Sequence, residues 1–382
     1  MSKFKNVNID TEIDRLAEQF KDRISKEPQS FLERFTKIMF FQEPDRMPVS
    51  TTVHQFSARV AGITIRELCT DAKKMLYAQL YTAVKFNMDT VVNLSDLYNF
   101  EPEALGAKMY YPENSWPVIL EPLIKEPKDL EKLEIPDFTK AGRGPYVLEG
   151  NRLYLEKLGN YGLLSIVANG PWTLAVQLRG FNSLVRDTRK NSAFVERLLD
   201  FCVDVIEAFI KTQREAAGVA AVPNINDAFS CIPPASPQIV YDYVFPYAAE
   251  LIKRLGMVLW VGGYPVCEIP QWKQIVDDSV TKTGTQMGFL IMLESDWLPV
   301  EKLKEMSNRL RIPFAFGVGS ALISKGTPKE IENYIKSKIK ILAPGGGCAV
   351  ISDPIPVDTP AENFEAFINS IKRYGKYPIA IE

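Results

Sequence analysis

Short apolar runs alternate with amphipathic helical patterns over most of the chain, and this alternation constrains the fold more than any other feature. Eight runs predict strands: Met47–Val53, Asp89–Leu94, Leu163–Ala168, Ala220–Ile225, Met257–Val261, Gly288–Leu293, Phe314–Val318 and Cys348–Ile351. Helical patterns between or after them include Asp71–Phe86, Ser192–Ala217, Pro237–Leu255, Pro299–Leu310, Lys329–Leu342 and Pro360–Tyr374. Eight strand–helix units in series predict an α/β fold, a (β/α)8 TIM barrel.

The alternative α/β architecture is a doubly wound open sheet. Such a sheet normally carries a glycine-rich loop after its first strand, whereas this chain has TTVHQFSARVAG there. The first 45 residues predict two helices, Thr11–Ser25 and Ser30–Phe41. We therefore expect an N-terminal helical extension over 1–45 and one barrel domain over 46–382. The long connection from Asp96 to Leu163 predicts a loop elaboration after strand two, with a small hairpin and a helix.

Composition excludes several classes of function. Hydrophobic residues make up 46% and charged residues 24% of 382 residues, with a formal net charge of −2, as in a globular protein. Without a run of Lys and Arg, a nucleic-acid partner is not expected. No apolar stretch reaches the roughly 18 residues of a membrane span, and the N-terminus is too polar for a signal peptide. Five scattered cysteines indicate a reducing cytoplasm.

The chain contains a single histidine, His54, and this restricts its metal chemistry. Sites that need two imidazoles, such as HExxH zinc sites, are excluded. The cysteines show no CxxC spacing, and Cys231 and Cys267 are the only two that follow neighbouring predicted strands. These two could pair on a metal, but in the absence of a recognised motif the sequence predicts no zinc and no other metal site.

Barrel enzymes place their reactive groups where strands run into the following loops. Four acids occupy such positions and are the candidate catalytic residues: Asp96, Asp227, Glu294 and Asp353. Polar and aromatic residues at the same ends are the candidate substrate-binding residues: His54, Asn93, Tyr98, Asn169, Asn226, Phe229, Trp260 and Tyr264. Each also has a structural interpretation, since acids cap turns, His54 could begin a helix, and aromatic residues fill cores.

Four segments in this order carry a resemblance to a known superfamily. They are NLSDLY (93–98), NGPWTLAVQLRG (169–180), SPQIVYDYVFPY (236–247) and GGCAVISDPIPVDTPAENFEAF (346–367). The chain resembles the uroporphyrinogen decarboxylase superfamily over roughly 31–377. The resemblance implies a (β/α)8 barrel, and either a porphyrinogen decarboxylase or a methyltransferase that works with a corrinoid protein.

The decarboxylase branch matches poorly. Its arginine-bearing RQAGRY segment is replaced by HQFSARVAG, in which only Arg59 is available. Asp96 matches the aspartate of strand two, but Gln177 stands where that branch has a tyrosine, and its late histidine falls near Asp353. One retained residue is too few to bind a tetrapyrrole rich in carboxylates.

The thiol-methylating branch also departs from this sequence. Its zinc ligands are HxCG at the end of strand five and a cysteine after strand eight. Here the first segment is Trp260-Val261-Gly262-Gly263, and the late position falls near Asp353. The resemblance therefore implies the other half of the corrinoid cycle. In that half, the methyl group of a donor passes to the Co(I) corrinoid of a partner protein, as in the O-demethylating methyltransferases of anaerobes.

Two classes of donor suit these residues. A methoxylated aromatic compound is favoured, because a carboxylic acid or Tyr264 would protonate the departing oxygen while Trp260, Tyr98 and Phe229 enclose the ring. A quaternary or methylated amine is next, held by aromatic rings with carboxylates as counter-charges. A metal acting as Lewis acid on His54, Asp227 and Glu294 is conceivable, although no spacing supports it.

Two alternatives to this enzyme stay open. One is a decarboxylase of a small pyrrolic or aromatic acid with Asp96 as its central residue. The other is a barrel that binds an aromatic or corrinoid ligand without turnover. Because members of the superfamily often form dimers, a homodimer is a further expectation from the resemblance.

Overall fold

The computed structural model describes residues 8–93, 95–96, 98–164, 166–219, 221–231, 234–256, 258–261, 287–292 and 299–379. The chain divides into two compact units, each built from separate stretches of sequence. Unit 1 comprises Met1–Ser95, Arg152–Leu164 and Phe289–Glu382, and unit 2 comprises Asp96–Asn151 and Ser165–Gly288.

Helices account for most of the regular structure. In chain order they are α1 Ile9–Ser25, α2 Phe31–Met39, α3 His54–Ala61, α4 Ile65–Thr70, α5 Ala72–Lys85, α6 Phe100–Ala104, α7 Gly144–Leu158, α8 Pro171–Arg179, α9 Phe181–Lys190, α10 Ser192–Ala217, α11 Pro237–Ile239, α12 Phe245–Leu255, α13 Val300–Leu310, α14 Ser320–Lys325, α15 Pro328–Leu342 and α16 Ala361–Tyr374. Short 3₁₀ helices cover Pro127–Lys132, Gly159–Tyr161 and Ala228–Ser230, and Val240–Val244 forms a π-helix. Among the described residues, no helix combines the length and apolar character that crossing a membrane requires.

The two N-terminal helices form as the sequence predicts. The Asn8 side chain accepts a hydrogen bond from the backbone N of Asp10 at the start of α1. Ser30 and Glu33 form a capping box at the start of α2. The apolar face of α1, which includes Leu16 and Phe20, is buried. Both helices predicted for the first 45 residues are present.

Strands in unit 2 form a hairpin and a parallel set. Strands β1 (Met109–Tyr110) and β2 (Val118–Ile119) are antiparallel, as predicted for the long connection. Strands β3 (Ile166–Asn169), β4 (Pro223–Asn226) and β5 (Val258–Val261) are parallel neighbours. Their register pairs Asn169 with Asn226 and Ile225 with Trp260, so the polar ends of β3 and β4 lie side by side.

Unit 1 contains a second parallel set. Residues Leu290–Met292 of β6 (Met287–Met292) pair with β7 (Phe314–Val318), and β7 pairs with β8 (Cys348–Ser352) along its length. Each of the strands β3 to β8 overlaps one of the last six predicted strands. The helices α5, α10, α13, α15 and α16 likewise match their predicted ranges within about two residues.

The first two predicted strands, Met47–Val53 and Asp89–Leu94, are wrong as strands within the described residues. Both stretches are buried and irregular, since Pro48 has no N–H to donate and the Val49 amide donates to the Asp89 carboxylate at 2.8 Å. Among their described residues, one backbone hydrogen bond connects them, from Asp89 N to Val49 O at 3.2 Å. The Asp89 side chain thus accepts the Val49 N–H, which pairing between two strands would need as a backbone donor.

The helix predicted over Pro237–Leu255 is instead three segments: α11, the π-helix and α12. Pro246 lies within the first two positions of α12 and has no N–H to donate to the preceding turn. The wider π-turn accommodates that missing donor, which hydrophobic periodicity does not reveal.

Candidate functional site

Asp96 lies at the centre of a buried charge cluster in unit 2. Arg143 donates from Nη2 to Asp96 Oδ2 at 2.7 Å and from Nε to Glu103 Oε2 at 2.6 Å. Asn99 Nδ2 lies 2.9 and 2.8 Å from the two Asp96 carboxylate oxygens. Tyr111 donates its hydroxyl to Glu103 Oε1 at 2.5 Å. Both oxygens of Asp96 are therefore occupied by partners within its own unit.

The Asp96 cluster, Asp96 with Asn99, Glu103, Tyr111 and Arg143, holds its central carboxyl between an amide and a guanidinium. Burial alone would lower the pKa of Arg143, but the charges of Asp96 and Glu103 raise it above its usual range. The guanidinium also lies over the rings of Phe100 and Tyr111, 4.7 and 5.2 Å from their centroids. Asp96 therefore lies in place as a counter-charge of Arg143.

Glu101 in α6 contacts the carboxyl end of β3. Asn169 donates its backbone N–H to Glu101 Oε1 at 2.7 Å, and its Nδ2 donates to Glu101 Oε2 at 2.9 Å. The same Nδ2 donates to the Tyr98 carbonyl at 3.0 Å. Glu101 is fully buried, and burial raises its pKa to about 7 despite the hydrogen bonds from Asn169, which lower it.

Asp227 follows β4 and contacts the first turn of α8. Its Oδ1 accepts the backbone N–H of Thr173 at 2.7 Å, and Thr173 Oγ1 accepts the N–H of Phe229 at 3.1 Å. Gly170, the N-cap of α8, makes no side-chain cap, so Asp227 supplies one from another strand. A Cβ on Gly170 would lie 2.2 Å from the Asp227 Cβ, so this close approach requires glycine.

Burial raises the pKa of Asp227 to about 6, although its hydrogen bonds with Thr173 lower it. The side chain is 1% exposed, and Oδ2 has no hydrogen-bond partner among the residues that the structure describes. Burial raises the pKa of the Cys202 thiol, and the charges of Asp227 and Glu101 raise it further. The arrangement can therefore hold a proton near neutral pH and donate it.

Several other buried polar atoms of unit 2 have no partner within the described ranges. They are Asn169 Oδ1, Asn224 Oδ1, Trp172 Nε1 and Trp260 Nε1. Asn169 and Asn226 are paired residues of β3 and β4, and Trp172 is the second residue of α8. Buried polar atoms normally have partners, so each of these four atoms is a candidate contact for a polar ligand.

The predicted aromatic residues lie in different environments. Trp260 is fully buried on β5, whereas Phe229 is 36% exposed, with its ring centroid 6.3 Å from that of Phe181. Tyr98 is partly buried, and its backbone N donates to Asp96 Oδ1 at 3.2 Å. Hydrogen bonds therefore connect Asp96 with Tyr98 and Tyr98 with Asn169. Strand pairing places Asn169 next to the end of β4, which in turn pairs with β5.

Three predicted site residues belong to unit 1: His54, Asn93 and Asp353, all buried. His54 begins α3, and its carbonyl accepts the Ser57 hydroxyl at 2.6 Å. Asp353 follows β8 and donates its backbone N–H to Val318 O at 3.0 Å.

Glu294, Tyr264 and Cys267 lie outside the described residues, as do Gly262 and Gly263 of the segment compared with the zinc motif. Across the described part of the chain, no group of three or more histidine, cysteine, aspartate or glutamate side chains is arranged to hold a metal ion.

Sequence reasoning missed Glu101 and Arg143, because it considered only the ends of predicted strands. Glu101 stands five residues beyond Asp96, in the segment FEPEA, and Arg143 lies in the long connection. A signal for Glu101 existed: two acids flank Pro102 directly after the NLSDLY segment. Arg143 carried no local signal, since its partners are distant in sequence.

Parallel strands followed by helices, with polar side chains at the strand ends, define an α/β protein. The chain belongs to the uroporphyrinogen decarboxylase family, whose model matches residues 31–374. Both the family and the (β/α)8 barrel fold class predicted from the sequence are confirmed. Comparison with curated protein sequences finds no significant match.

Solved structures similar to this chain include a methyltransferase from Methanosarcina mazei. The two have 21% sequence identity and a TM-score of 0.75, over 90% of this chain and 99% of that one. A B12-independent methionine synthase from Shewanella sp. W3-18-1, in complex with selenomethionine, has 12% identity and a TM-score of 0.47, over 86% and 93% of the two chains. The first likeness supports the shared fold.

Proposed function

We propose that the protein is a methyltransferase that passes a methyl group from a small methylated donor, most favourably a methoxylated aromatic compound, to the Co(I) corrinoid of a partner protein. The proposal is supported by the family, by the likeness to the Methanosarcina methyltransferase and by the sequence departures from the decarboxylase and zinc motifs. The observation that carries it is Asp227, a buried carboxyl with a raised pKa and an oxygen without a partner in the described ranges.

The chemistry makes a specific demand on the protein. The Co(I) acceptor supplies the electron pair that attacks the methyl carbon, and the electrons of the breaking C–O bond pass to the ether oxygen. A phenolate is a poor leaving group unless it is protonated as the bond breaks, so a positioned acid accelerates the step by about 10²–10⁴-fold.

Asp227 meets that demand in two ways. Burial holds its pKa at about 6, so that a useful fraction of the carboxyl carries a proton near neutral pH. Thr173 holds Oδ1 at the start of α8, which leaves Oδ2 as the oxygen that would carry and deliver the proton. Asp96 takes no part in this transfer, because Arg143 and Asn99 occupy its oxygens.

A methylated ammonium donor is the second candidate, and the Asp96 cluster favours it. Two carboxylates, Asp96 and Glu103, share one guanidinium, so that the cluster retains excess negative charge. That charge would attract a cation, and such a donor needs no acid because a neutral amine departs.

The test is methyl transfer to a purified corrinoid protein reduced to Co(I), with methoxyphenols, methoxybenzoates and methylated amines as donors. We expect methylcobalamin absorbance with a methoxylated aromatic donor. In Asp227→Asn, which keeps the acceptor for the Thr173 N–H, we expect kcat to fall about 10²–10⁴-fold with that donor. The wild-type rate should fall as pH rises through about 6, because the protonated form of Asp227 is the active one.

The class of methyl donor that reacts distinguishes the two candidate functions. A methylated ammonium donor that reacts equally well with wild type and Asp227→Asn would assign the second candidate. No transfer from any donor, or carbon dioxide release from a pyrrolic or aromatic acid, would contradict the proposal.

A further inference from the structure

The side-chain amide of Asn169 is held in one orientation by its hydrogen bonds. Its Nδ2 carries two hydrogens, and both have acceptors: Glu101 Oε2 at 2.9 Å and the Tyr98 carbonyl at 3.0 Å. The backbone N–H of Asn169 donates to the other oxygen of Glu101 at 2.7 Å. These three bonds fix which end of the amide is nitrogen and which is oxygen.

The remaining atom, Asn169 Oδ1, is a buried acceptor. The residue is fully buried, and Oδ1 has no hydrogen-bond partner in the part of the chain that the structure describes. A buried amide oxygen without a donor costs free energy, which a ligand with an O–H or N–H group would recover. The amide cannot turn to expose Nδ2 without losing its bonds to Glu101 and Tyr98.

Asn169 lies close to Asp227, the proposed acid, through both its sequence neighbour and its strand pairing. Gly170 follows Asn169 directly, and a Cβ built on Gly170 would lie 2.7 Å from Asp227 Oδ1. Asn226, which precedes Asp227, is the β4 residue paired with Asn169, and its carbonyl accepts the Gly170 N–H at 2.7 Å. A methyl-donor compound bound at Asp227 would therefore be close to Asn169.

We propose that Glu101 is a positioning residue that holds Asn169 as a hydrogen-bond acceptor, and that Asn169 thereby selects methyl donors bearing an O–H or N–H group near the methylated atom. This inference rests on the proposed function, since it concerns the donor of that reaction. It assigns free methoxyphenols as substrates in preference to fully alkylated analogues, and protonated tertiary amines in preference to quaternary ammonium ions.

Equilibrium binding tests the inference without a corrinoid protein. The probes are 2-, 3- and 4-methoxyphenol, each compared by calorimetry with the methoxytoluene in which a methyl group replaces the hydroxyl at similar size. Trimethylammonium and tetramethylammonium form the corresponding amine pair. We expect the wild-type protein to bind one hydroxyl or N–H compound about 10- to 100-fold more tightly than its methyl analogue.

The variant Glu101→Gln tests the positioning role. Its new side-chain amide presents an N–H₂ group to one of the Asn169 donors, so the Asn169 amide loses its fixed orientation and the binding ratio should fall to about one. Glu113→Gln, in the loop between β1 and β2, is the matched control because Glu113 is exposed, and it should keep the wild-type ratio. A purely structural role for Glu101 would lower stability, measured by thermal unfolding, and leave the ratio unchanged.

The wild-type ratio decides the inference even if Glu101→Gln does not fold. Binding of both members of every pair with equal affinity overturns the inference and leaves the proposed function standing. An unchanged ratio in folded Glu101→Gln also overturns the role of Glu101. Absence of binding by all of these compounds contradicts both the inference and the proposed donors.

Discussion

Asp227 shows how one residue can have a structural and a chemical role at once. One carboxylate oxygen caps α8 in place of the side chain that Gly170 lacks, and the other has no partner within the described residues. The cap holds the carboxyl in place, and burial raises its pKa. A conservative replacement by asparagine should therefore separate the two roles, since it keeps an acceptor and removes the acid.

Gly170→Ala should disturb this carboxyl directly. The new Cβ would lie 2.2 Å from both Cβ and Cγ of Asp227, so one of the two backbone segments must move. We expect the free energy of unfolding to fall by about 1–3 kcal/mol, as for other overpacked sites. Urea denaturation of Gly170→Ala, Asp227→Gly and the double variant measures the coupling between the two positions.

The double variant supplies the control. With Asp227→Gly the obstructing side chain is gone, so Gly170→Ala should cost much less than it does alone. Strictly additive effects would mean that the alanine at 170 is disfavoured for a reason other than contact with Asp227.

At the scale of elements, the sequence predicts those helices and strands whose ends are set by neighbouring residues. Helix α10 is predicted to the residue because Asn191 caps its start and Gly218, with φ of 65°, ends it. The irregular stretches before α3 and after α5 were mistaken for strands because their apolar pattern is that of a buried strand. Only the contact between Val49 and Asp89, forty residues apart, reveals the difference.

The candidate site was predictable to the extent that it lies at strand ends. Asp227 and Asn169 follow apolar strands and could be identified from pattern, and Asp96 from the family segment. Their partners could not, because the roles of Glu101 and Arg143 depend on which backbone and side-chain atoms α6 and the long connection bring to them. Burial, which sets the pKa of Glu101 and Asp227, is likewise a property of packing rather than of sequence.

Glu101, which links α6 to β3 through its hydrogen bonds with Asn169, should make the free energy of unfolding depend on pH. The pKa of Glu101 is about 7 in the folded protein against an ordinary 4.5, so the native state binds a proton more readily than the unfolded chain. Its contribution to stability is complete below pH 4.5 and is lost as pH rises to about 7, by roughly 3 kcal/mol. Urea denaturation across this range should show a smaller decline in Glu101→Gln than in wild type.

Asp227→Asn distinguishes the two buried carboxyls in the same experiment. It should remove the Asp227 share of the decline, which extends from an ordinary pKa of 3.8 to about 6, and leave the Glu101 share, which extends from 4.5 to about 7. A wild-type decline identical to that of Glu101→Gln would show that Glu101 does not take up a proton in this range.

At the scale of the whole molecule, unit 1 joins sequence segments that are far apart. Asp89 receives hydrogen bonds from Arg46 at 2.5 and 2.7 Å and from the Val49 amide at 2.8 Å, and Lys372 lies 3.3 Å from it. Nearby, the Met47 amide donates to Gly375 O. One buried carboxylate thus holds together the early chain, the end of α5 and the last helix, α16.

Asp89→Asn should therefore destabilise unit 1 strongly. Burial acts to raise the pKa of Asp89, but the hydrogen bonds and charge of Arg46 outweigh it and the pKa is lowered. Its contribution is consequently present above an ordinary pKa of 3.8 and lost as pH falls through the lowered value. At pH 7 we expect the variant to lose about 3–5 kcal/mol, because the buried Arg46 keeps only Glu27 as a carboxylate partner and the partly buried Lys372 loses Asp89.

An exposed ion pair provides the comparison. Asp22 lies 2.6 Å from Lys26, with both side chains mostly exposed, and Asp22→Asn should change stability by less than about 1 kcal/mol. Urea midpoints of the two variants at pH 7 measure the difference. If Asp89→Asn were as mild as Asp22→Asn, the stability of unit 1 would not depend on the ion pair between Arg46 and Asp89. A large difference would instead identify Asp89 as the charge that connects the beginning of the chain with its last helix.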